Sequence, residues 1–465
     1  MKNYGTYSFW LENAGDLTPR PALQESINVD VAILGAGFTG LWTAYHLLQR
    51  DPSLKVVVLE AEIAGFGASG RNGGWCFAGF PYPTHKMVEH YGLDAARAVQ
   101  LAMYDTVDNV GEVCEREGID AHFAKGGELE IARAEYDLPT LQKMHDGYAA
   151  IGLDGHYELL DARQTEERIH VAGAVGSAWN RHGAAIQPAR LARGLAEAVE
   201  RHGGVIYEQT RVTDFVPGPL PRLDTARGNV SARVIVLAGE AYLAQQPRLS
   251  RSILPITSHM VATAPLTDEQ WAAIGWKNRE VVGGFGSLNG YINHTADGRI
   301  AFGAYRGRYP FNSNITDALD RREEIFIHAR EAARDWFPIL AEQKIEFTHS
   351  WGGVLGIPRD HMPLMTYDRS SGVATGRGYS GEGVATANLS GRVLADLITE
   401  QDTDLTRLPM TRHEERLWEP EPMRWTGVQA VRKLRERATA EMERTGARSD
   451  KPSLAQRVVT RLWES

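Results

Sequence analysis

The sequence predicts an α/β protein in which a doubly wound, Rossmann-like sheet is interrupted by an α+β region carrying antiparallel strands. Three observations carry that expectation. A short β-branched run, Val29 to Leu34, passes directly into Gly35-Ala36-Gly37-Phe38-Thr39-Gly40 and then into an amphipathic stretch. A second apolar run, Lys55 to Leu59, ends on Glu60, about 20 residues after the last of those glycines, as the dinucleotide fingerprint requires. Buried-strand patterns return at Ala232 to Leu237 and Val373 to Gly376, with alternating strands between them.

The first unit reads as strand, turn, helix, strand. Leu41, Ala44, Tyr45, Leu47 and Leu48 fall at helical spacing, and Asp51-Pro52 stops the helix. Gly35 permits the tight turn, Gly37 lets a pyrophosphate approach the backbone, and Gly40 lets helix and strand touch. Free N–H groups and the helix dipole then favour a phosphate at the helix start. Glu60 would accept from ribose hydroxyls and repel a 2′-phosphate, which disfavours NADP. The competing reading is a tight turn that holds no ligand.

From Glu62 to Pro83 the chain reads as loop. Gly67-Ala68-Ser69-Gly70-Arg71-Asn72-Gly73-Gly74 is too rich in glycine to pack as an element, so something must lie against that backbone. Residues 93–118 and 135–168 read as helices, and Gly127 to Ala132 alternates like a strand. Pro188 to Arg201 is a strongly amphipathic helix ending at Gly203-Gly204. Val205 to Tyr207 and Arg211 to Phe215 read as strands, and the run from Ala232 stops on Ala238-Gly239. Met260 to Thr263, Tyr291 to Asn293 and Arg299 to Gly303 suggest antiparallel strands, followed by a helix over 318–336. A last helix spans Ala385 to Ile398. In the tail, Met423, Val428, Val431, Leu434 and Ala438 form a helical stripe, expected to dock on the body of the protein rather than on a membrane surface. No internal repeat is visible.

Composition narrows the class of protein. Its 465 residues are 43% hydrophobic and 23% charged, an ordinary globular balance that excludes collagen-like or wholly disordered chains. A net charge of −9 argues against nucleic acid as a partner. No apolar run approaches the roughly 20 residues of a membrane-spanning helix, and Met1 to Gly15 lacks the pattern of a signal peptide, so a cytoplasmic location is expected. Cys76 and Cys114 are the only cysteines, too few for a disulfide framework, and no cluster has metal-ligand spacing.

The late segment Gly376-Arg377-Gly378-Tyr379-Ser380-Gly381-Glu382-Gly383 also fits a glycine fingerprint, but no strand with a terminal acid follows it, since Leu397-Ile398 leads into Thr399-Glu400-Gln401-Asp402. It is therefore not a nicotinamide site. Opening a helix, it could set backbone N–H groups and a positive dipole beside the pyrimidine end of a flavin; otherwise it is an ordinary loop before an amphipathic helix.

Together, the βαβ unit, the Ala68-Ser69-Gly70-Arg71-Asn72-Gly73-Gly74 loop, Ala238-Gly239 and Gly378-Tyr379-Ser380-Gly381-Glu382-Gly383-Val384 resemble the FAD-dependent D-amino acid oxidase superfamily. The branch they most resemble holds the gamma-glutamylputrescine oxidases and aminophosphonate oxidoreductases. The resemblance spans about residues 28–400. It implies a glutathione-reductase type FAD-binding domain (28–90, 169–250 and 351–410) interleaved with a substrate domain (91–168 and 251–350), whose antiparallel sheet roofs the isoalloxazine, followed by a helical extension over 411–465. Residue by residue, Gly35, Gly37, Phe38, Thr39, Gly40, Glu60 and Ala61 would hold the ADP half. Gly67, Ala68, Ser69, Arg71, Asn72, Gly73 and Gly74 would line the pyrophosphate and flavin, Val212 would meet the adenine, and Ala238, Gly239 and Gly378 to Val384 would complete the cofactor site.

The chemistry implied is hydride transfer from the carbon beside an amine to flavin N5, followed by hydrolysis of the imine, with no obligatory protein base. His259, Tyr291, Tyr305, Arg306 and Trp351 are the pocket candidates. Arg306 either pairs bidentately with a carboxylate or phosphonate or is a surface arginine beside Arg308. His259 either tunes the flavin or satisfies a strand neighbour. The chain departs from the family in three ways. Pro255 to Thr263 carries no lysine of the kind that activates oxygen in sarcosine-type oxidases. Cys76 is not at the family's tethering position, so FAD is expected to be non-covalent. Phe302-Gly303-Ala304-Tyr305-Arg306 stands where the branch has Phe-Gly-Gly-Arg. The leading reading is oxidation of a small amine, either an amino acid, an aminophosphonate or an acylated polyamine, with O2 or another acceptor taking the electrons. The alternatives are an NAD(P)H-dependent flavin monooxygenase or reductase, and a non-catalytic FAD-holding protein. Oligomeric state is left open.

Overall fold

The structure, a computed structural model, describes residues 2–286, 289–304 and 307–446. Its first sheet runs in the order Leu364–Asp368, Val373–Arg377, Asn229–Leu237, Ile27–Leu34, Val56–Leu59, Val205–Tyr207. All neighbours after the first pair are parallel, and Ile33 sits in register between Val236 and Val58. Val212–Val216 and Arg222–Thr225 form an antiparallel flank on this sheet. Helices Phe38–Arg50, Pro188–Arg201 and Gly383–Ile398 cover one face and share a core built on Trp42, Leu41, Leu195 and Leu389. Two of them cross with almost no gap: a Cβ on Gly391 would lie 2.5 Å from the Cβ of Trp42.

The second sheet orders Phe347–Ile357, Leu254–Thr263, Ile300–Ala304, Gly290–His294, Val281–Gly284, Glu128–Ala132, Gly176–Asn180 and Tyr157–Asp161. Only the Val281–Gly284 and Glu128–Ala132 pair is parallel. Helix Glu323–Trp336 packs on one face through Phe326, Ala329, Ala333 and Trp336. A two-stranded ribbon, Trp75–Phe77 with Gly183–Ala185, follows directly on the 67–74 glycine loop.

Several expectations change. The stretch 135–168 is not continuous helix: Leu138–Ala150 and Ala162–Arg168 are separated by the strand Tyr157–Asp161. That strand lies at the edge of its sheet and exposes most of its side chains, so it carries little apolar signal. Within the supposed loop 62–83, Trp75–Phe77 finds a strand partner more than 100 residues away, which no local pattern announces. Gly176–Asn180 and Phe347–Ile357 belong to the second sheet, so the sheets do not divide at residues 169 and 351. The 318–336 helix starts only at Glu323, after a 3₁₀ turn over Asp317–Asp320. In the tail helix, Met423–Thr445, Val428, Val431 and Ala438 are buried, while Met423 is 60% exposed.

The tightest requirement in the first sheet is at Gly40. A Cβ there would come within 1.9 Å of the Gly35 carbonyl oxygen, and backbone has nowhere to move. Gly40→Ala is expected to destabilise the protein by about 3 kcal/mol through overpacking, read from the denaturant midpoint.

Candidate active site

A cavity of about 1540 Å³ lies between the two sheets, larger than the roughly 300–1,000 Å³ of ordinary small-molecule pockets. It has room for a dinucleotide and a second ligand. The early glycine turn forms one end. Gly35 adopts φ +102°, and a Cβ on it would meet the Ala238 carbonyl oxygen at 2.8 Å. The Phe38 N–H at the helix start donates to Ser69 Oγ at 2.8 Å, which anchors the second glycine loop to the first. Glu60 accepts from the N–H groups of Ala36 and Glu62, each at 2.9 Å. Burial, with Glu208 and Glu62 nearby, still pushes its carboxyl up to about 7.

The 67–74 loop holds itself in shape. Asn72 donates to the carbonyls of Ala68 and Ser69 and accepts from the Gly74 N–H at 2.8 Å. Arg71 is buried beneath it, paired with Asp320 at 2.5 Å, donating to the Phe66 carbonyl, and lying over the Phe66 ring at 4.2 Å. The late loop joins the same cavity. Thr39 and Tyr379 share a hydrogen bond of 2.9 Å between their hydroxyls, linking the early turn to the late one. Glu240 fixes the late loop from below: its carboxylate accepts from the N–H groups of Gly378 at 2.8 Å, Gly356 at 3.2 Å and Tyr379 at 3.4 Å. Burial outweighs these bonds and raises its carboxyl to about 7.

Of the cofactor residues expected from the sequence, Gly35, Gly37, Phe38, Thr39, Glu60, Ala61, Gly67, Ala68, Ser69, Arg71, Asn72, Gly73, Val212, Ala238, Gly239, Tyr379, Ser380, Gly381, Glu382, Gly383 and Val384 line the cavity. Gly40, Gly74 and Gly378 do not; they make room behind it, Gly74 against Asn293 and Ile186, Gly378 against Pro358. Tyr291 also lines the cavity. Its hydroxyl lies 2.5 Å from Ser258 Oγ, and burial raises it to about 12, so it is no base at neutral pH.

His259 and Trp351 are corrections. Ile256, Thr257 and Ser258 line the cavity but His259 does not, its side chain lying on the face opposite Ser258. There its Nε2 meets the Leu319 carbonyl at 3.0 Å and its ring meets Phe326, while burial lowers its pKa and keeps it neutral. Trp351 lies beyond the cavity edge, donating to the Arg71 carbonyl at 3.0 Å and packed against Trp10. Tyr305 and Arg306 lie outside the described residues.

The sequence reading passed over Glu240 and Ser258, and it docked the tail helix on the body without placing it at the cavity. Glu240 follows a buried strand and a glycine much as Glu60 closes its own strand, which was the available signal. The tail helix closes one side of the cavity with Val428, Val431, Arg432, Arg435 and Thr439, repeating at helical spacing. Two carboxylates of the second sheet, Glu128 and Glu130, also face inward.

A family model described as FAD dependent oxidoreductase (DAO) matches residues 30–397. The chain therefore belongs to the DAO family of FAD-dependent oxidoreductases. Among curated proteins it is similar to the gamma-glutamylputrescine oxidoreductase of Escherichia coli (strain K12), 31% identical over 396 residues, covering 84% of this chain and 89% of that one. It is also similar to the glycine oxidase of Geobacillus kaustophilus (strain HTA426), 25% identical, with 83% and 97% covered. Among solved structures the fold is shared with L-proline dehydrogenase from P. horikoshii, TM-score 0.68 at 19% identity over 83% of this chain and 96% of the other. The residues present suit FAD. Two backbone turns leave no space for side chains but open to the cavity, and Ser380 Oγ is buried there without a partner.

Two outcomes test this geometry. Glu240→Ala removes a charged acceptor from three N–H groups and is expected to cost about 3 kcal/mol; FAD retention on gel filtration falls with it, and Glu240→Gln recovers part of both. The second concerns pH. The carboxyls of Glu60, Glu130, Glu240 and Glu382 are each raised from 4.5 to about 7. Between those values the folded protein binds more protons than the unfolded chain, so their contribution makes stability fall as pH rises. The stability of the FAD-free protein relative to its Glu240→Gln variant should decline between about pH 4.5 and 7 and level off above it.

Proposed function

We propose that the protein oxidises a small primary or secondary amine, whether an amino acid, an aminophosphonate or an acylated polyamine, to an imine that water then hydrolyses. The observation that carries this reading is the single cavity bounded by the early turn, the late loop and the inner face of the antiparallel sheet. The names of two relatives, a gamma-glutamylputrescine oxidoreductase and a glycine oxidase, support an amine as reductant. FAD, when bound, accepts a hydride at N5. The chain's own work is to bind and orient. Gly35, Gly37 and Ser69 hold the phosphates against backbone, Glu60 takes the ribose hydroxyls, and the helix start at Gly381, Gly383 and Val384 faces the ring. Tyr291 and Ser258 set one wall beside the reacting carbon. With no base of suitable pKa in that pair, the amine reacts as the neutral form and its lone pair expels the hydride.

FAD is held without a covalent tether in this reading. Cys76 is fully buried, its thiol pushed up by burial, and it faces away from the cavity; Cys114 is buried as well. A reductase that works through a cysteine pair gains no support from two such thiols. Electrons pass on to O2 or another acceptor. Anaerobic mixing with a panel of amines, without NAD(P)H, should bleach the flavin absorbance. Bleaching only with NAD(P)H would replace this reading with a monooxygenase or reductase, and no bleaching with either would leave a non-catalytic FAD protein. Peroxide formation in air then tells oxidase from dehydrogenase.

A further inference from the structure

Three of the carboxylates that line the cavity, Glu128, Glu130 and Glu382, act on one another, and the proposed chemistry gives their side chains no role. Residues 128–132 read Glu-Leu-Glu-Ile-Ala, and the pleat sends Leu129 and Ile131 into the second core, which leaves Glu128 and Glu130 side by side on the cavity face, about 7 Å apart along the strand. The fold makes space for one of them. Gly283 lies directly opposite Glu130, and a Cβ there would come within 2.6 Å of its Oε1. Glu382 reaches the same region from the late loop, with its Oε2 buried and unpartnered.

Glu128 is 8% exposed, lines the cavity, and makes no side-chain hydrogen bond or ion pair among the described residues. The charges that act on it are Glu130 and Glu382, both of its own sign, and burial with these neighbours drives its carboxyl well upward. Buried acids without partners are costly to keep. A cationic ligand would remove that cost, and the surroundings suit one carried on an apolar chain: Met144, Tyr148 and Tyr157 line the cavity next to the strand, with the two tyrosine rings stacked at 4.8 Å.

Resting on the amine reading above, we propose that the cavity selects substrates with a second, non-reacting ammonium group, α,ω-diamines and longer polyamines, held by Glu128, Glu130 and Glu382. The held nitrogen cannot be the reacting one. A cage of carboxylates stabilises the protonated amine, whereas loss of hydride from the neighbouring carbon requires the free lone pair. The chain is therefore bound by one end and oxidised at the other. The distal ammonium keeps its three N–H bonds throughout, so the reaction stays balanced as hydride plus proton lost from the reacting CH–NH unit. A substrate that places a carboxylate at that end is repelled.

Two measurements decide this. The first is kcat/KM for 1,4-diaminobutane against butylamine, where a preference of about tenfold or more for the diamine is expected; in Glu128→Gln/Glu130→Gln, with flavin content checked by absorbance, the ratio should fall to near one. The second is calorimetric binding of the bis-trimethylammonium derivative of butane against butyltrimethylammonium, neither of which has a lone pair to expel hydride. The dication should bind about tenfold more tightly, and the double variant should erase the difference. Equal binding of the two cations, or a preference for glycine over the diamine that survives in the variant, overturns the proposal. If no amine reduces the flavin, the amine reading fails, and the calorimetric comparison still decides whether the acidic cage recognises a second cation.

Discussion

The structure depends on one close approach of backbone to backbone. At the end of the first strand, Gly35 lies so near Ala238, and Gly40 so near Gly35, that no side chain can be inserted at either glycine. This contact brings together the ends of the two central parallel strands, Ile27–Leu34 and Asn229–Leu237, and fixes where the Phe38–Arg50 helix begins. Every other part of the cofactor end is referred to that point. Ser69 bonds to the N–H of Phe38, Glu60 to that of Ala36, and Tyr379 to the hydroxyl of Thr39. Three segments distant in sequence thus meet within one turn of a single helix.

Holding that geometry requires buried acid. Glu60 and Glu240 play parallel parts: each stands just beyond a parallel strand, and each uses its carboxylate to order backbone N–H groups of a neighbouring turn. A neutral side chain could satisfy fewer donors, and a water molecule would not hold the loop in one place. The same burial raises both carboxyls to about 7. At the opposite wall, Glu128 and Glu130 accept from no backbone N–H among the described residues. The contrast separates acids that build the site from acids that face a ligand.

Much of the first sheet was legible because its information is local. Val29 to Leu34, the glycine turn, the Leu41 to Leu48 stripe and Glu60 lie within one short stretch, and each constrains backbone that the others touch. The helix Pro188–Arg201 was legible to the residue for the same reason. What stayed hidden depends on distant partners. Trp75–Phe77 becomes a strand because Gly183–Ala185 lies beside it, and Tyr157–Asp161 because Gly176–Asn180 does. The site followed the same division. Backbone-lined positions fell on the cavity, since glycine patterns report backbone, whereas His259 and Trp351 were misplaced because the face of a strand is set by its register against neighbours. One residue of offset puts Ser258 in the cavity and His259 behind it.

The tail helix shows how specificity can be added without disturbing the cofactor frame. The family match ends at residue 397, yet Val428, Val431, Arg432, Arg435 and Thr439 still line the cavity. The helix is tied at its start by hydrogen bonds and buries Val428, Val431 and Ala438 along its length. Arg424 is buried, bonded to Glu421 and to the Ser250 carbonyl at 2.7 Å, and Trp418 donates to the Ile357 carbonyl at 2.9 Å. Ile357 belongs to the second sheet, the layer that also carries Glu128, Glu130 and Ser258, and Ser250 lies just before its strand Leu254–Thr263. The glycine turns at one end of the cavity and the strands that carry Ser258, Glu128 and Glu130 therefore belong to different layers. Substitutions in the tail helix or on the inner face of the second sheet can change what is oxidised while the contact at Gly35, Gly40 and Ala238 is left as it is.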